Sequence, residues 1–209
     1  MRKYKYIIWD IDGTLLDTIG INVRTLQRIV YEELEKELSF NELVKYMAFP
    51  GKVTLEKLGI GDINNVHKRW VKYVNEDKFG AIPYEGITEV LDSIKELGYV
   101  QAVASSKTKD QYQIDMVKNG FHKYMKATVL FEDVVNSKPH PEPILRAIEI
   151  LGAKPCECLY IGDTYSDYLC AKEAGTDFAL ALWGCVNKDG IECIKELETP
   201  IDLVNILVV

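Results

Sequence analysis

The 209-residue sequence has no apolar run near the roughly 20 residues that a membrane-spanning helix needs, so a transmembrane chain is not expected. Cysteine is scarce and one-sided: Cys156, Cys158, Cys170, Cys185 and Cys193, all in the last third. An odd set confined to one region makes a poor disulfide framework. Cys156-Glu157-Cys158 has no second pair at zinc spacing, so these read as ordinary thiols. Positive charge is in deficit: 25 Lys and Arg against 32 Asp and Glu leave a net charge of −7. That balance argues against a nucleic-acid partner, which needs clustered cations. The 12 tyrosines are not interleaved with basic residues as a stacking surface would require. His67, His122 and His140 are too scattered for a metal site. Repeats and low-complexity segments are lacking. Near the start, Ile7-Ile8-Trp9 runs straight into Asp10. A secretory signal would carry about 7–15 apolar residues there, and the expected location is the cytoplasm.

What remains is ordinary globular material, 47% hydrophobic and 27% charged, enough for one good-sized core and a small extra module. Residues 4–9 read as a strand turning fully apolar at its end, as a buried parallel strand does. From Asp17 the period changes: Ile19, Val23, Leu26, Val30 and Leu34 form one helical stripe. More helix follows near 40–48, 52–59 and 62–78, with no convincing strand between 18 and 80. After Pro83 strands and helices alternate: helix from Ile87 to Leu97, strand 99–104, helix 108–119, strand 127–131, helix 142–151, strand 157–161, helix 166–174 and strand 177–182. Such alternation implies a parallel sheet covered on both faces. The expectation is an α/β, Rossmann-like core of residues 1–17 and 81–209, interrupted by an all-helical cap at 18–80.

Open α/β sheets bind ligands beyond the carboxyl ends of their strands. At those ends stand Asp10-Ile11-Asp12-Gly13-Thr14, then Ser105-Ser106-Lys107, then Lys138-Pro139, then Gly162-Asp163-Thr164 with Asp167 beyond. Asp10 and Asp12 lie two apart and point the same way in extended chain. One can act as nucleophile while the other handles protons. Two carboxylates beside a phosphoryl dianion repel it unless a cation bridges them, and hard oxygen ligands select Mg²⁺. Asp163 can supply a further carboxylate. Ser105, Ser106 and the backbone near Gly13 can hold phosphoryl oxygens, and Lys138 can neutralise charge that grows in the transition state. Each signal is common alone; together, in this order and each at a strand end, they are specific.

Asp10-Ile11-Asp12-Gly13-Thr14-Leu15, Ser105, Lys138 and Gly162-Asp163-(x)₃-Asp167 resemble the four signatures of the haloacid dehalogenase superfamily. The helical insertion sits where that family carries its small cap, so the resemblance covers the whole chain. Asp17-Thr18 and Lys138-Pro139-His140-Pro141-Glu142-Pro143 are similar to the phosphoglycolate phosphatase and β-phosphoglucomutase branch. That branch commonly has Asp where this chain has His140, and often Thr where it has Ser105. The resemblance implies a phosphatase for a small phosphorylated metabolite, working through an aspartyl phosphate. Asp10 would be the nucleophile, Asp12 the general acid/base, and Ser105 and Lys138 the phosphoryl holders. Asp10, the Asp12 carbonyl, Asp163 and Asp167 would form the Mg²⁺ site. The alternatives are a sugar-phosphate mutase and a non-catalytic phosphate-binding regulator. Mutases of this branch typically carry a His at the position of Asn22, and dehalogenases lack the metal and the acid at Asp12. Gly51 and Lys52, in the 46–54 segment, are expected to form a specificity loop in the cap. The expected state is monomer or weak dimer.

Overall fold

The computed structural model describes residues 4–49, 51–77 and 80–208. The chain opens with β1 (Tyr6–Trp9) and a short β2 (Leu16–Asp17), then enters the helices α1 (Ile19–Leu34), α2 (Phe40–Leu43), α3 (Gly51–Lys57) and α4 (Ile63–Glu76). It returns through β3 (Ile82–Pro83), the partner of β2, and continues as α5 (Ile87–Glu96), β4 (Val100–Ala104) and α6 (Lys109–Tyr112). Then follow β5 (Met125–Val129), α7 (Glu142–Leu151), β6 (Cys158–Gly162), α8 (Tyr165–Ala174), β7 (Asp177–Ala181), β8 (Lys195–Leu197) and α9 (Ile201–Leu207). The contacts divide the chain into two compact units. One runs up to Asp17 and resumes at Pro83; the other is Thr18–Ile82.

The first unit is built on a six-stranded sheet in the order β5-β4-β1-β6-β7-β8, parallel throughout. The parallel α/β fold is the expected one. β1 sits centrally, with Trp9 level with Val103 on one side and Ile161 on the other. Ile7, Ile8 and Trp9 are wholly buried, as a strand covered on both faces requires. The polar groups of Trp9 and Gln101 inside this layer are paired: Trp9 Nε1 donates to Gln101 Oε1 at 3.1 Å, and Gln101 Nε2 to the Leu91 carbonyl at 2.9 Å. Chain order reverses at β1, between β4 and β6, which makes its carboxyl end a topological switch point.

The second unit is helical. Val23, Leu26 and Val30 of the expected α1 stripe are buried with Leu43, Leu55, Val66 and Trp70, and Ile19 and Leu34 are partly buried against them. Two features of the first unit differ from the sequence expectation. Residues 108–119 do not form one helix: α6 is short and widens into a π turn over Gln113–Val117. β8 and α9 were not expected; β8 is a three-residue edge strand with two exposed charged residues, which carries no alternating pattern to read.

Candidate active site

Asp10, Asp163, Asp167 and Lys138 come together at the carboxyl edge of the sheet. The Asp10 N–H donates to the Ile161 carbonyl, 2.9 Å, which holds the chain extended past β1. Asp10, Asp163 and Asp167 are all buried, and one carboxylate oxygen of each lies within 4.8 Å of the others. Thr14, fully buried, donates from Oγ1 to Asp163 Oδ1 at 3.1 Å. Thr164 caps α8: its N–H and hydroxyl donate to Asp167 Oδ2 at 3.1 and 2.5 Å, and its Oγ1 accepts from the Asp167 N–H. Lys138 reaches into the cluster from the loop before α7, with Nζ 2.7 Å from Asp10 Oδ1 and 2.6 Å from Asp167 Oδ1. Apart from this Lys138 contact, the buried Asp10 Oδ1 has no donor among the described residues.

The backbone closes tightly around these groups. Gly13 has φ +75°, and a Cβ there would fall 2.2 Å from Asp163 Oδ2. A Cβ on Gly184 would fall 1.7 Å from the Gly13 carbonyl oxygen. Beside it, Trp183 Nε1 donates to the Thr14 carbonyl at 2.9 Å. Sequence reasoning missed this Trp183-Gly184 pair. It also missed Tyr160, whose hydroxyl contacts Lys138 Nζ at 3.3 Å, Asp167 Oδ1 at 3.1 Å and the Ala104 carbonyl at 3.0 Å. The available signal was a tyrosine inside an otherwise apolar buried strand, since a buried phenol needs a partner.

Burial dominates the electrostatics. The Asp10 carboxyl is pushed up to about 7, first by burial and then by the charges of Asp167 and Asp12, against the pull of Lys138. Asp163 is raised well above the carboxylate range by burial and by its neighbours Asp167 and Asp10. For Asp167 burial acts in the same direction, but the Lys138 charge and the hydrogen bonds of Lys138 and Thr164 outweigh it and hold the group ionised. Burial works against the Lys138 ammonium, and Asp10 and Asp167 more than offset it. Three ionised carboxylates would face one buried cation here. Such a set, with an under-donated Asp10 oxygen, fits a hard divalent cation with oxygen ligands.

The other expected residues lie as follows. Asp12 has a side chain 41% exposed and pairs through Oδ1 with Lys107 Nζ at 2.9 Å. Ser105 is buried and its Oγ accepts from the Lys107 N–H at 3.4 Å, while Ser106 is exposed. Gly51 and Lys52, expected in a loop, instead form the first turn of α3; a Cβ on Gly51 would lie 2.7 Å from His67 Nε2, and Lys52 donates to Asn64 Oδ1 at 2.9 Å. Pro50, in the same expected loop, lies outside the described residues. His122 pairs with the Tyr112 hydroxyl, and His140 Nδ1 accepts from the Glu142 N–H. The five cysteines are free thiols, and no helix among the described residues is long and apolar enough to cross a membrane.

The fold and this strand-end cluster define a hydrolase class. Residues 7–181 match the model of the haloacid dehalogenase-like hydrolases, and the chain belongs to that family. Among curated relatives it is similar to pyrophosphatase PpaX of Bacillus velezensis, 29% identical over 98% of this chain and 97% of that protein. It is also similar to PpaX of Bacillus cereus, 24% identical over the same shares. Among solved structures it resembles a Lactobacillus plantarum protein assigned as a phosphoglycolate phosphatase, with TM-score 0.86, 23% identity and coverage of 97% and 99% of the two chains. CbbY of Rhodobacter sphaeroides, solved with phosphate, matches with TM-score 0.75, 18% identity and coverage of 99% and 100%.

Proposed function

We propose that this protein is a Mg²⁺-dependent phosphatase for a small phosphorylated metabolite, working through a phosphoryl group carried on Asp10. The observation that carries the reading is the buried Asp10-Asp163-Asp167 cluster with Lys138 Nζ 2.7 Å from Asp10. Asp10, Asp163 and the Asp12 carbonyl would hold Mg²⁺, with Asp167 beside them. When bound, the ion supplies charge neutralisation that lets a phosphoryl dianion approach carboxylates.

The chain's own groups do the rest. An Asp10 carboxylate oxygen attacks phosphorus in line, the P–O bond to the leaving group breaks, and Asp12 gives that oxygen a proton. Asp12 then takes a proton from the water that attacks the phosphorus of phosphoryl-Asp10, releasing phosphate. Lys138 balances charge on the phosphoryl oxygens, and Ser105 and Ser106 with the backbone near Gly13 supply donors.

A mutase must also protonate and deprotonate a sugar hydroxyl in transit. Asn22 offers an amide, and its Nδ2 donates to the Thr18 carbonyl at 2.8 Å, which favours hydrolysis over transfer. The names of the curated relatives make inorganic pyrophosphate a candidate beside phosphoglycolate-like and sugar monoesters. We further expect a cytoplasmic monomer or weak dimer, with Gly51 and Lys52, in the first turn of α3, as specificity residues. The test is phosphate release with purified protein and Mg²⁺ from a panel of pyrophosphate, phosphoglycolate, hexose phosphates and an aryl phosphate. Mg²⁺-dependent release supports the reading. A protein that binds phosphate and turns over none of them is a regulator instead.

A further inference from the structure

We propose that Lys107 is a positioning residue, clamped by Asp115, that fixes the carboxylate of Asp12 for proton transfer; this rests on the role assigned to Asp12 above. The Asp12 side chain is 41% exposed, whereas Lys107 is only 6% exposed. An exposed carboxylate left to itself samples several rotamers. Here Oδ1 is held 2.9 Å from Lys107 Nζ. A lysine is buried only where anions meet it, and the second anion is Asp115, whose Oδ2 lies 2.5 Å from the same Nζ with a side chain 12% exposed. Asp115 comes from the π turn that interrupts the helix after β4, a local irregularity of the kind found at functional sites.

Direct binding of substrate phosphate is the competing role for a lysine here. The geometry opposes it, because the Lys107 ammonium is already shared between two carboxylates. The backbone of Lys107 has a separate task, donating to Ser105 Oγ. Methionine at 107 keeps that N–H, so the substitution isolates the ammonium.

The experiment compares Lys107→Met and Lys107→Met/Asp115→Asn with the wild type, using 4-nitrophenyl phosphate and phenyl phosphate in Mg²⁺. The double variant removes the orphaned Asp115 charge and carries the test if the single one does not fold. Nitrophenolate leaves with little help from an acid and phenolate does not. The expected result is a fall in kcat/KM of about 10–10²-fold for phenyl phosphate and under about 3-fold for the nitrophenyl ester. The inhibition constant for inorganic phosphate should stay within about 2-fold, since uniform binding is untouched. An equal fall for both esters overturns the proposal, and so does a parallel weakening of phosphate inhibition, which would make Lys107 a phosphate ligand. Asp12→Asn run alongside separates the two claims. If it shows the leaving-group dependence and the Lys107 variants do not, the clamp alone is wrong. If it shows none, the Asp12 role falls and the clamp with it.

Discussion

Lys138→Met keeps the apolar stem of the side chain and deletes its charge. In the wild type that charge stands 2.7 Å from Asp10 and 2.6 Å from Asp167, with the lysine side chain 8% exposed. Removing one partner of a buried ion pair costs about 3–5 kcal/mol, because the remaining charge is left uncompensated. For a chain of this size each kcal/mol moves Tm by about 2–4 °C, so a fall of about 6–20 °C is expected at pH 8 in EDTA. The pH dependence follows from Asp10. Its carboxyl already titrates near 7 with Lys138 present, and Lys138 acts to lower it. Without the lysine it titrates higher. An acid raised in the folded state favours the protonated form, so the strain grows as pH rises and is relieved as pH falls. The Tm difference between variant and wild type should therefore be smaller at pH 6 than at pH 8. Activity should fall about 10²–10³-fold in kcat and kcat/KM together, as for loss of a transition-state contact. Thermal melts and steady-state kinetics test both. Equal Tm differences at the two pH values, or a change confined to KM, would refute the reasoning.

Mg²⁺ should raise the Tm of the wild type, and more at pH 8 than at pH 6, because a ligand must shed the proton that Asp10, pushed up to about 7, holds at lower pH; an equal or reversed difference counts against Asp10 as a ligand. EDTA should abolish turnover, with Mg²⁺ restoring it. Gly184→Ala drives a methyl into the Gly13 carbonyl oxygen and should cost about 1–3 kcal/mol with a loss of kcat. Gly61→Ala, whose methyl meets no atom of the described residues within 4 Å, should stay within about 0.5 kcal/mol in melts.

The parts of the site that are legible in the sequence are those where an apolar strand stops at a polar residue. Ile7-Ile8-Trp9 before Asp10 and Leu159-Tyr160-Ile161 before Gly162-Asp163 mark the sheet edge, because burial on both faces forces an unbroken apolar run. The hidden parts depend on distant partners. Lys107 stands just before what reads as one helix and Asp115 lies eight residues on, inside it, and the π turn that carries Asp115 leaves no periodic trace. Trp183 and Gly184 lie beyond β7 in a stretch with no helical or strand pattern, yet they touch the backbone of Thr14 and Gly13. β8 is hidden for another reason: an edge strand of charged residues looks like loop until β7 is there to pair with it.

The central claim is that Asp10 carries the phosphoryl group, and rapid quench followed by peptide mass spectrometry reads it directly. Asp12→Asn keeps the nucleophile and loses the proton shuttle, a loss typically worth about 10²–10⁴-fold. Given an aryl phosphate in Mg²⁺, it should still be phosphorylated and then hydrolyse slowly, so the adduct accumulates. The predicted result is an added phosphoryl group on Asp10, absent from Asp10→Asn, with turnover of Asp10→Asn at background. A label on Asp12 or Asp163, or substantial turnover by Asp10→Asn, would contradict the account and favour direct attack by water.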